Sequence, residues 1–443
     1  MNGERLPSAC AWAVVALLFT GVAVVSAVAP AQKEEASGGD TTVMDEWQTA
    51  FGRALANLDP RRWSEFVGGK QRFVREWPQR GPWADAVSCV QCHYRDGRGP
   101  RPDRPESGPT YLVRLGHASS GGDPVYGVQL RRVGYGVAAP ARVAVEWRES
   151  RGRYPSGEAF ALRRPIVRVT ELGYGALDPR TRISLRVPPA VFGLGLLEAV
   201  PAEEILARAD PDDEDGDGVS GRSQMVIDSA TGRSSLGRFG WKAVQPSLAA
   251  QSAAALSQDL GVTNPLAPTP VQPGDTIRVA MDPEIGEHEL NALVFYLRAL
   301  AVPARRRWTE PAAVEGEALF AAIGCGACHR QQLTTGRVAG WPELSGQTIR
   351  PYTDLLLHDM GSQLADEVGE ALASGGEWRT PPLWGLGLLQ TVSGRVALLH
   401  DGRARSPEEA ILWHGGEAQR ARNRFIALPS EKRAALIAFL GTL

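Results

Sequence analysis

Charge of one sign is what this sequence most plainly lacks. Its 443 residues carry 48 Lys and Arg against 50 Asp and Glu, a formal net charge of −2. That balance leaves no electrostatic footprint for nucleic acid or for a strongly charged membrane surface. Cysteine is scarce too. The five cysteines are Cys10, Cys89, Cys92, Cys325 and Cys328, a number that prompts a search for disulfides until their positions are read. Glycine and proline, by contrast, are plentiful at 49 and 32, as in loop-rich domains. The length is enough for two or three domains, each with its own core.

Four of the cysteines fall in one pattern. Gly324-Cys-Gly-Ala-Cys-His329 contains Cys-x-x-Cys-His, and Cys89-Val-Gln-Cys-His93 repeats it. This is the attachment pattern of c-type haem: two thiols take the vinyl groups as thioethers, and the adjacent imidazole lies under the iron. An apolar helix, Gly316-Glu-Ala-Leu-Phe-Ala-Ala-Ile-Gly324, runs straight into the second motif. The two motifs use every cysteine outside the N-terminus. The expectation is two covalently bound haem c groups, on Cys89, Cys92 and His93 and on Cys325, Cys328 and His329.

Cys10 belongs to a targeting segment. Ala9 to Ala29 is a mostly apolar run, and Ala29-Pro30-Ala31 offers small residues before Gln32, as a signal peptidase requires. Residues 1–31 therefore read as a signal peptide, with a retained anchor as the alternative, since the run can span a bilayer. Either way the body is expected in the periplasm. No membrane partner is expected unless the segment is retained.

Residues 32–43 are small and polar and read as a mobile linker. From Met44 the spacing of Trp47, Phe51, Leu55 and Leu58 predicts a helix. Short β-leaning runs, Arg142-Val-Ala-Val-Glu-Trp147 and Pro165-Ile-Val-Arg-Val-Thr170, mark a β-rich insertion over about 110–235. Gly193 to Arg208 predicts a helix, as do an Ala-rich stretch ending at Asp259 and Glu287 to Leu300. Pro303 and Arg305-Arg-Arg307 mark a boundary. Ser406-Pro-Glu-Glu409 is a helix start, with a capping hydroxyl, Pro in the first turn and two acids. A last helix covers Pro429 to Leu443. The fold expected is mainly α: two cytochrome c-like haem domains, 44–303 with the insertion and 304–443.

Asp213-x-Asp215-x-Asp217-Gly218 has the spacing of the first half of a calcium loop, though position twelve is Gln224 instead of Glu. A calcium site and a solvated acidic turn are both open readings. Beyond the two proximal histidines, axial ligands can come from His117, His288, His358, His400 or His414, or from Met225, Met281 or Met360.

The order of these features resembles the bacterial dihaem peroxidase superfamily, which includes the dihaem cytochrome c peroxidases and the enzyme that matures the tryptophan-derived cofactor of methylamine dehydrogenase. His400-Asp-Gly-Arg-x-x-Ser-Pro-Glu-Glu-Ala-Ile-Leu-Trp-His-Gly-Gly416 and Arg238-Phe-Gly-Trp-Lys-Ala243 resemble its di-haem oxidoreductase branch, also called thiol oxidoreductase. The resemblance implies that His414 is the second axial ligand of the C-terminal haem, with Met360 the runner-up. It implies that Trp241 relays electrons between the haems, and that Gln251 and an acid, Asp259, serve peroxide chemistry at the N-terminal one. Glu198 is a further candidate acid. His358 and His400 read as structural or propionate-contacting, and His117 as a loop residue or a distal ligand. The implied activity is reduction of hydrogen peroxide with electrons from a small periplasmic redox protein. Electron transfer alone, or oxidation of a partner protein's side chain, are the rivals. Nothing in these residues supports a thiol substrate.

Overall fold

The computed structural model describes residues 34–77, 82–99, 111–116, 121–271 and 282–443. The apolar N-terminal run with Cys10, and the candidate ligands His117 and Met281, lie outside them. No helix of the described residues is long and apolar enough to cross a membrane.

Helices dominate the two ends of the chain. α1 (Trp63–Val74) precedes α2 (Cys89–Cys92), which carries the first motif; α3 (Leu194–Ala199) and α4 (Ala202–Leu206) follow the insertion. Then come α5 (Leu248–Leu260), α6 (Glu287–Arg298) and α7 (Pro311–Ala322), the last entering the second motif. α8 (Leu389–Ser393), α9 (Pro407–Trp413), α10 (Gln419–Ala427) and α11 (Ser430–Leu440) complete the chain. The helix expected over Gly193 to Arg208 is broken at Pro201, whose ring and missing N–H cannot continue it. Ser406 caps α9 as expected, its hydroxyl accepting from the Glu409 N–H at 3.1 Å.

Two helix pairs share one design. α1 buries Phe66, Gly69 and Phe73, and α7 buries Ala313, Gly316 and Phe320 at the same spacing. Each crosses a later helix at its glycine. A Cβ on Gly69 would collide with the Ala292 carbonyl of α6, and one on Gly316 with the Ala435 carbonyl of α11. Only a residue without a side chain allows backbones to approach so closely. The helix expected from Met44 to Leu58 is not formed. Its apolar residues sit in a turn and a short 3₁₀ segment, with Phe51 stacked on Phe192 at 4.1 Å and Trp47 exposed. Tertiary packing mimicked a helical period there.

Between the ends lies the expected β-rich insertion. β1 (Trp83–Ala84) pairs with β3 (Val133–Gly134), β2 (Leu112–Gly116) with β6 (Arg182–Arg186), and β4 (Arg142–Arg153) with β5 (Ala159–Thr170), all antiparallel. β7 (Met225–Ile227) and β8 (Ser234–Leu236) form a further hairpin. In the C-terminal part β9 (Leu333–Thr334) pairs with β10 (Thr348–Ile349), and β11 (Leu357–Asp359) with β12 (Glu377–Arg379). The long β4–β5 hairpin reaches the C-terminal helices, where the Tyr154 hydroxyl donates to Glu408 at 2.6 Å.

Glu34–Leu443 pack as one unit. The main apolar cluster runs from Phe51 through Leu197 and Leu293 to Trp384 and Trp413, with separate clusters around Phe439 and Trp83. The segment expected to be a mobile linker is seated as well. Ser37 and Thr41 are buried, the Arg350 N–H donates to the Ser37 carbonyl at 2.7 Å, and Val43 bridges to Pro303.

Candidate active site

One cavity of about 650 Å³ reaches both Cys-x-x-Cys-His motifs, and Trp241, Gln251, Asp259 and His414 also line it. No disulfide joins Cys89, Cys92, Cys325 and Cys328. Burial pushes the Cys89 and Cys325 thiols up to about 12, and those of Cys92 and Cys328 upward as well. Burial thus disfavours the thiolate at all four.

Three imidazoles in this cavity are tied in the same way. Nδ1 of His93 lies 2.8 Å from the Pro189 carbonyl, Nδ1 of His329 lies 2.9 Å from the Tyr352 carbonyl, and Nδ1 of His414 lies 2.7 Å from the Ala410 carbonyl. A carbonyl only accepts, so each Nδ1 must donate. In the neutral ring Nε2 then keeps its lone pair. Burial favours that neutral ring, taking His93 and His329 down to about 4 and His414 below its usual value. Neutral, oriented imidazoles with an unprotonated Nε2 are what an iron centre requires. Beside four thiols in an apolar pocket, they fit haem.

The other candidate ligands are placed differently. Met360 lines the cavity, whereas His288 and Met225 are exposed. His358 is clamped at both nitrogens, Nε2 at 2.9 Å from Asp354 and Nδ1 at 2.6 Å from Glu417. Burial opposes its charge, but hydrogen bonds to Asp354, Cys328 and Glu417 outweigh that cost and push it up to about 12. His400 stacks on Trp378 at 3.7 Å with the planes 4° apart, and burial holds it well below its usual value.

Trp241 is anchored on every side. Its indole N–H donates to the Val187 carbonyl at 2.9 Å, two residues before the carbonyl that orients His93. The Arg379 N–H donates to the Trp241 carbonyl at 2.9 Å. Next to it, the fully buried Lys242 ammonium donates to the Ser374 and Glu377 carbonyls at 2.7 Å. Arg98, which sequence reasoning missed, places its guanidinium 5.2 Å from the Trp241 ring centre. Its position just after a glycine turn gave no signal.

Gln251 stands on α5, whose N-terminus the Ser247 hydroxyl caps. Asp259 lies one residue before the end of that helix. Its carboxylate accepts from the Gln129 amide at 2.9 Å, and the same amide donates to the buried Asp85 at 2.8 Å. Burial lifts Asp259 to about 6; the Gln129 hydrogen bond opposes that shift and the Asp85 charge adds to it. Glu198 does not line this cavity. It accepts from the Leu248 N–H at 2.8 Å and pairs with Arg298 at 2.7 Å, a structural role.

The acidic loop gathers a different trio from the one its spacing suggested. Carboxylate oxygens of Asp210, Asp213 and Asp215 lie within 4.8 Å of one another, without Asp217. Asp217 instead accepts from the Val219 N–H at 2.8 Å, and Gln224 is buried, its amide oxygen accepting from the Leu372 N–H. A one-residue register count cannot foresee that Asp210, outside the motif, folds back.

Among curated proteins none matches the chain. Among solved structures, hydrazine synthase of Kuenenia stuttgartiensis, pressurized with 20 bar xenon, is similar over 86% of this chain and 87% of its own. The identity is 14% and the TM-score 0.37, too loose to argue from. Residues 125–443, which include the second motif, Trp241 and His414, match the family model described as "Di-haem oxidoreductase, putative peroxidase". This chain belongs to that di-haem oxidoreductase family.

Proposed function

We propose that the protein is an exported, periplasmic c-type dihaem oxidoreductase that reduces hydrogen peroxide, with electrons arriving from a small redox protein. In this reading each half is a cytochrome c-like unit. Cys89, Cys92 and His93 hold the N-terminal haem, and Cys325, Cys328, His329 and His414 the C-terminal one. When bound, haem iron supplies one-electron redox chemistry and, where an axial position is open, a place for peroxide.

The observation that carries the reading is the set of three carbonyl-locked imidazoles around one cavity. Two belong to the C-terminal motif and its partner helix, His329 and His414, and would hold a C-terminal haem iron from both sides. Among the described residues no second imidazole locked in this way accompanies His93, which favours the N-terminal iron as the reactive one. Asp259, poised near 6 by burial, can take a proton from peroxide and return it, and the Gln251 amide can orient the oxygens. Trp241, fixed by Val187 and Arg379 in the cavity that reaches both motifs, would offer an aromatic ring for electron relay between bound haems.

Purified protein should give two haems per chain that resist extraction into acidified acetone, and it should oxidise a reduced small c-type cytochrome when peroxide is added. A protein carrying both haems that leaves peroxide untouched would contradict the proposal and favour electron transfer alone.

A further inference from the structure

From the first haem motif a file of aromatic rings runs to the surface. Phe73 lines the cavity with its ring centre 6.3 Å from His93. Tyr296 follows at 5.4 Å, Phe66 at 5.1 Å from Tyr296, and Trp63 at 5.5 Å from Phe66. Trp63 is 55% exposed, whereas Tyr296 is fully buried. The Tyr296 hydroxyl donates to Asp96 at 2.7 Å.

Helix packing alone does not require this file. In the second helix pair, where Gly316 and Phe320 stand as Gly69 and Phe73 do, the residue matching Phe66 is Ala313 and the one matching Trp63 is the exposed Glu310. The residue matching Tyr296 is Phe439, since a Cβ built on Gly69 would lie 2.6 Å from the Tyr296 Cβ and one on Gly316 2.7 Å from the Phe439 Cβ. The inner ring is common to both halves. The second half adds a buried Tyr352 beside Phe320 and Phe439, but rings at the outer positions of Phe66 and the exposed Trp63 belong to the first half alone.

Charge separates Trp63, together with Trp47, Trp83, Trp308 and Trp384, from the other described tryptophans. Cations sit over the rings of Trp241, Trp378, Trp413 and Trp341. A positive charge over an indole disfavours removing an electron from it. Among the described residues no cation lies over Trp63.

We propose that Trp63 is a second, surface site of oxidation, where a phenolic reductant stacks on the exposed indole and gives up one electron at a time through Phe66, Tyr296 and Phe73. The proposal rests on the peroxide reading above. When Tyr296 passes an electron inward, its proton has Asp96 to move to and returns on re-reduction. Overall, two phenols each lose an electron and a proton and become phenoxyl radicals, while one hydrogen peroxide gains both and its O–O bond breaks to give two waters.

The test uses the full holoprotein, hydrogen peroxide and 2,6-dimethoxyphenol, with Trp63→Phe and Tyr296→Phe compared with wild type. Tyr296→Phe keeps the ring that Phe439 supplies in the other half. Both variants should lose roughly tenfold or more in kcat for the phenol, a change of about 1.4 kcal/mol in barrier. The peroxide-induced change in the haem spectrum should keep its wild-type rate. Wild type treated with peroxide and a spin trap, without phenol, should carry an adduct on Trp63. Wild-type phenol turnover in either variant would overturn the route, and so would the absence of an adduct at Trp63. A wild-type haem spectrum indifferent to peroxide would instead sink the underlying peroxide reading, and this site with it.

Discussion

The ring of Phe320 lies 6.3 Å from the imidazole of His329, and Phe73 repeats that distance to His93. In both cases the phenylalanine is four residues after a glycine at which two helices cross. The repeat means that each motif is backed by the same wedge: a close helix crossing, an aromatic ring in front of it, and an imidazole locked by a backbone carbonyl. Departures from the repeat then mark what each half does differently, His414 on one side and the outer aromatic file on the other.

The glycine crossings leave no room for a methyl group. Gly316→Ala and Gly69→Ala should each destabilise the protein by about 1–3 kcal/mol or more, the cost of overpacking, read as a lower midpoint in urea unfolding. Gly326→Ala, where a Cβ meets nothing within 4 Å, should leave the midpoint unchanged. Equal midpoints for all three would contradict the crossing geometry.

If His414 ligates as proposed, His414→Ala should leave both haems attached but convert one from low to high spin, because an iron held by His329 would lose its second imidazole. Magnetic circular dichroism or resonance Raman spectra of the ferric protein would read the change. If both haem spectra matched wild type, Met360 would become the better ligand candidate.

His358 stands between the buried carboxylate of Asp354 and the half-buried one of Glu417, so His358→Ala leaves both without their shared partner. The expected cost is about 3–5 kcal/mol, as for a buried ion pair deprived of one partner. The pH dependence has a definite sign. The folded imidazole is raised to about 12, so its contribution is complete below the unfolded value near 6.5 and declines as pH rises from there through 12. Wild type should therefore lose part of its advantage over His358→Ala between pH 7 and pH 10 in unfolding experiments. A constant difference would argue that the imidazole is neutral.

Asp259 behaves in the opposite sense. Its folded value of about 6 lies above the usual aspartate value of about 3.9, so the folded state holds the proton more tightly and stability falls as pH rises from about 4 to 6. Asp259→Asn removes that penalty. It should be more stable than wild type at pH 7, by on the order of 3 kcal/mol at 1.36 kcal/mol per pH unit, and no more stable near pH 3. In turnover wild type should show a rise in peroxide reduction through pH 6, and the same variant should lose it. A variant that retains that rise would take the acid-base role away from Asp259.

Much of the site was legible because its chemistry is written in side chains at fixed spacing. Both motifs, the helices entering Cys325 and ending near Asp259, the β-rich insertion and the capped helix before His414 were all readable. The helix before the first motif was not. α1 carries Gly68-Gly69 and a polar face, so helix propensity and apolar period both pointed elsewhere, to Met44–Leu58. Its signature was present as Gly69-x-x-x-Phe73, echoing Gly316-x-x-x-Phe320. The carbonyls of Pro189, Tyr352 and Ala410 that lock the imidazoles could not have been read at all, since a backbone acceptor leaves no mark on composition. Nor could Gln129, brought to Asp259 across 130 residues by the insertion's own pairing.

The central claim is that one haem offers an open, reactive iron on His93 while the other is closed by His329 and His414. Electron paramagnetic resonance of the purified ferric protein, before and after hydrogen peroxide, tests it most directly. The account predicts one high-spin and one low-spin signal, with the high-spin signal consumed by peroxide. Two low-spin signals that ignore peroxide, in oxidised and half-reduced samples alike, would contradict it.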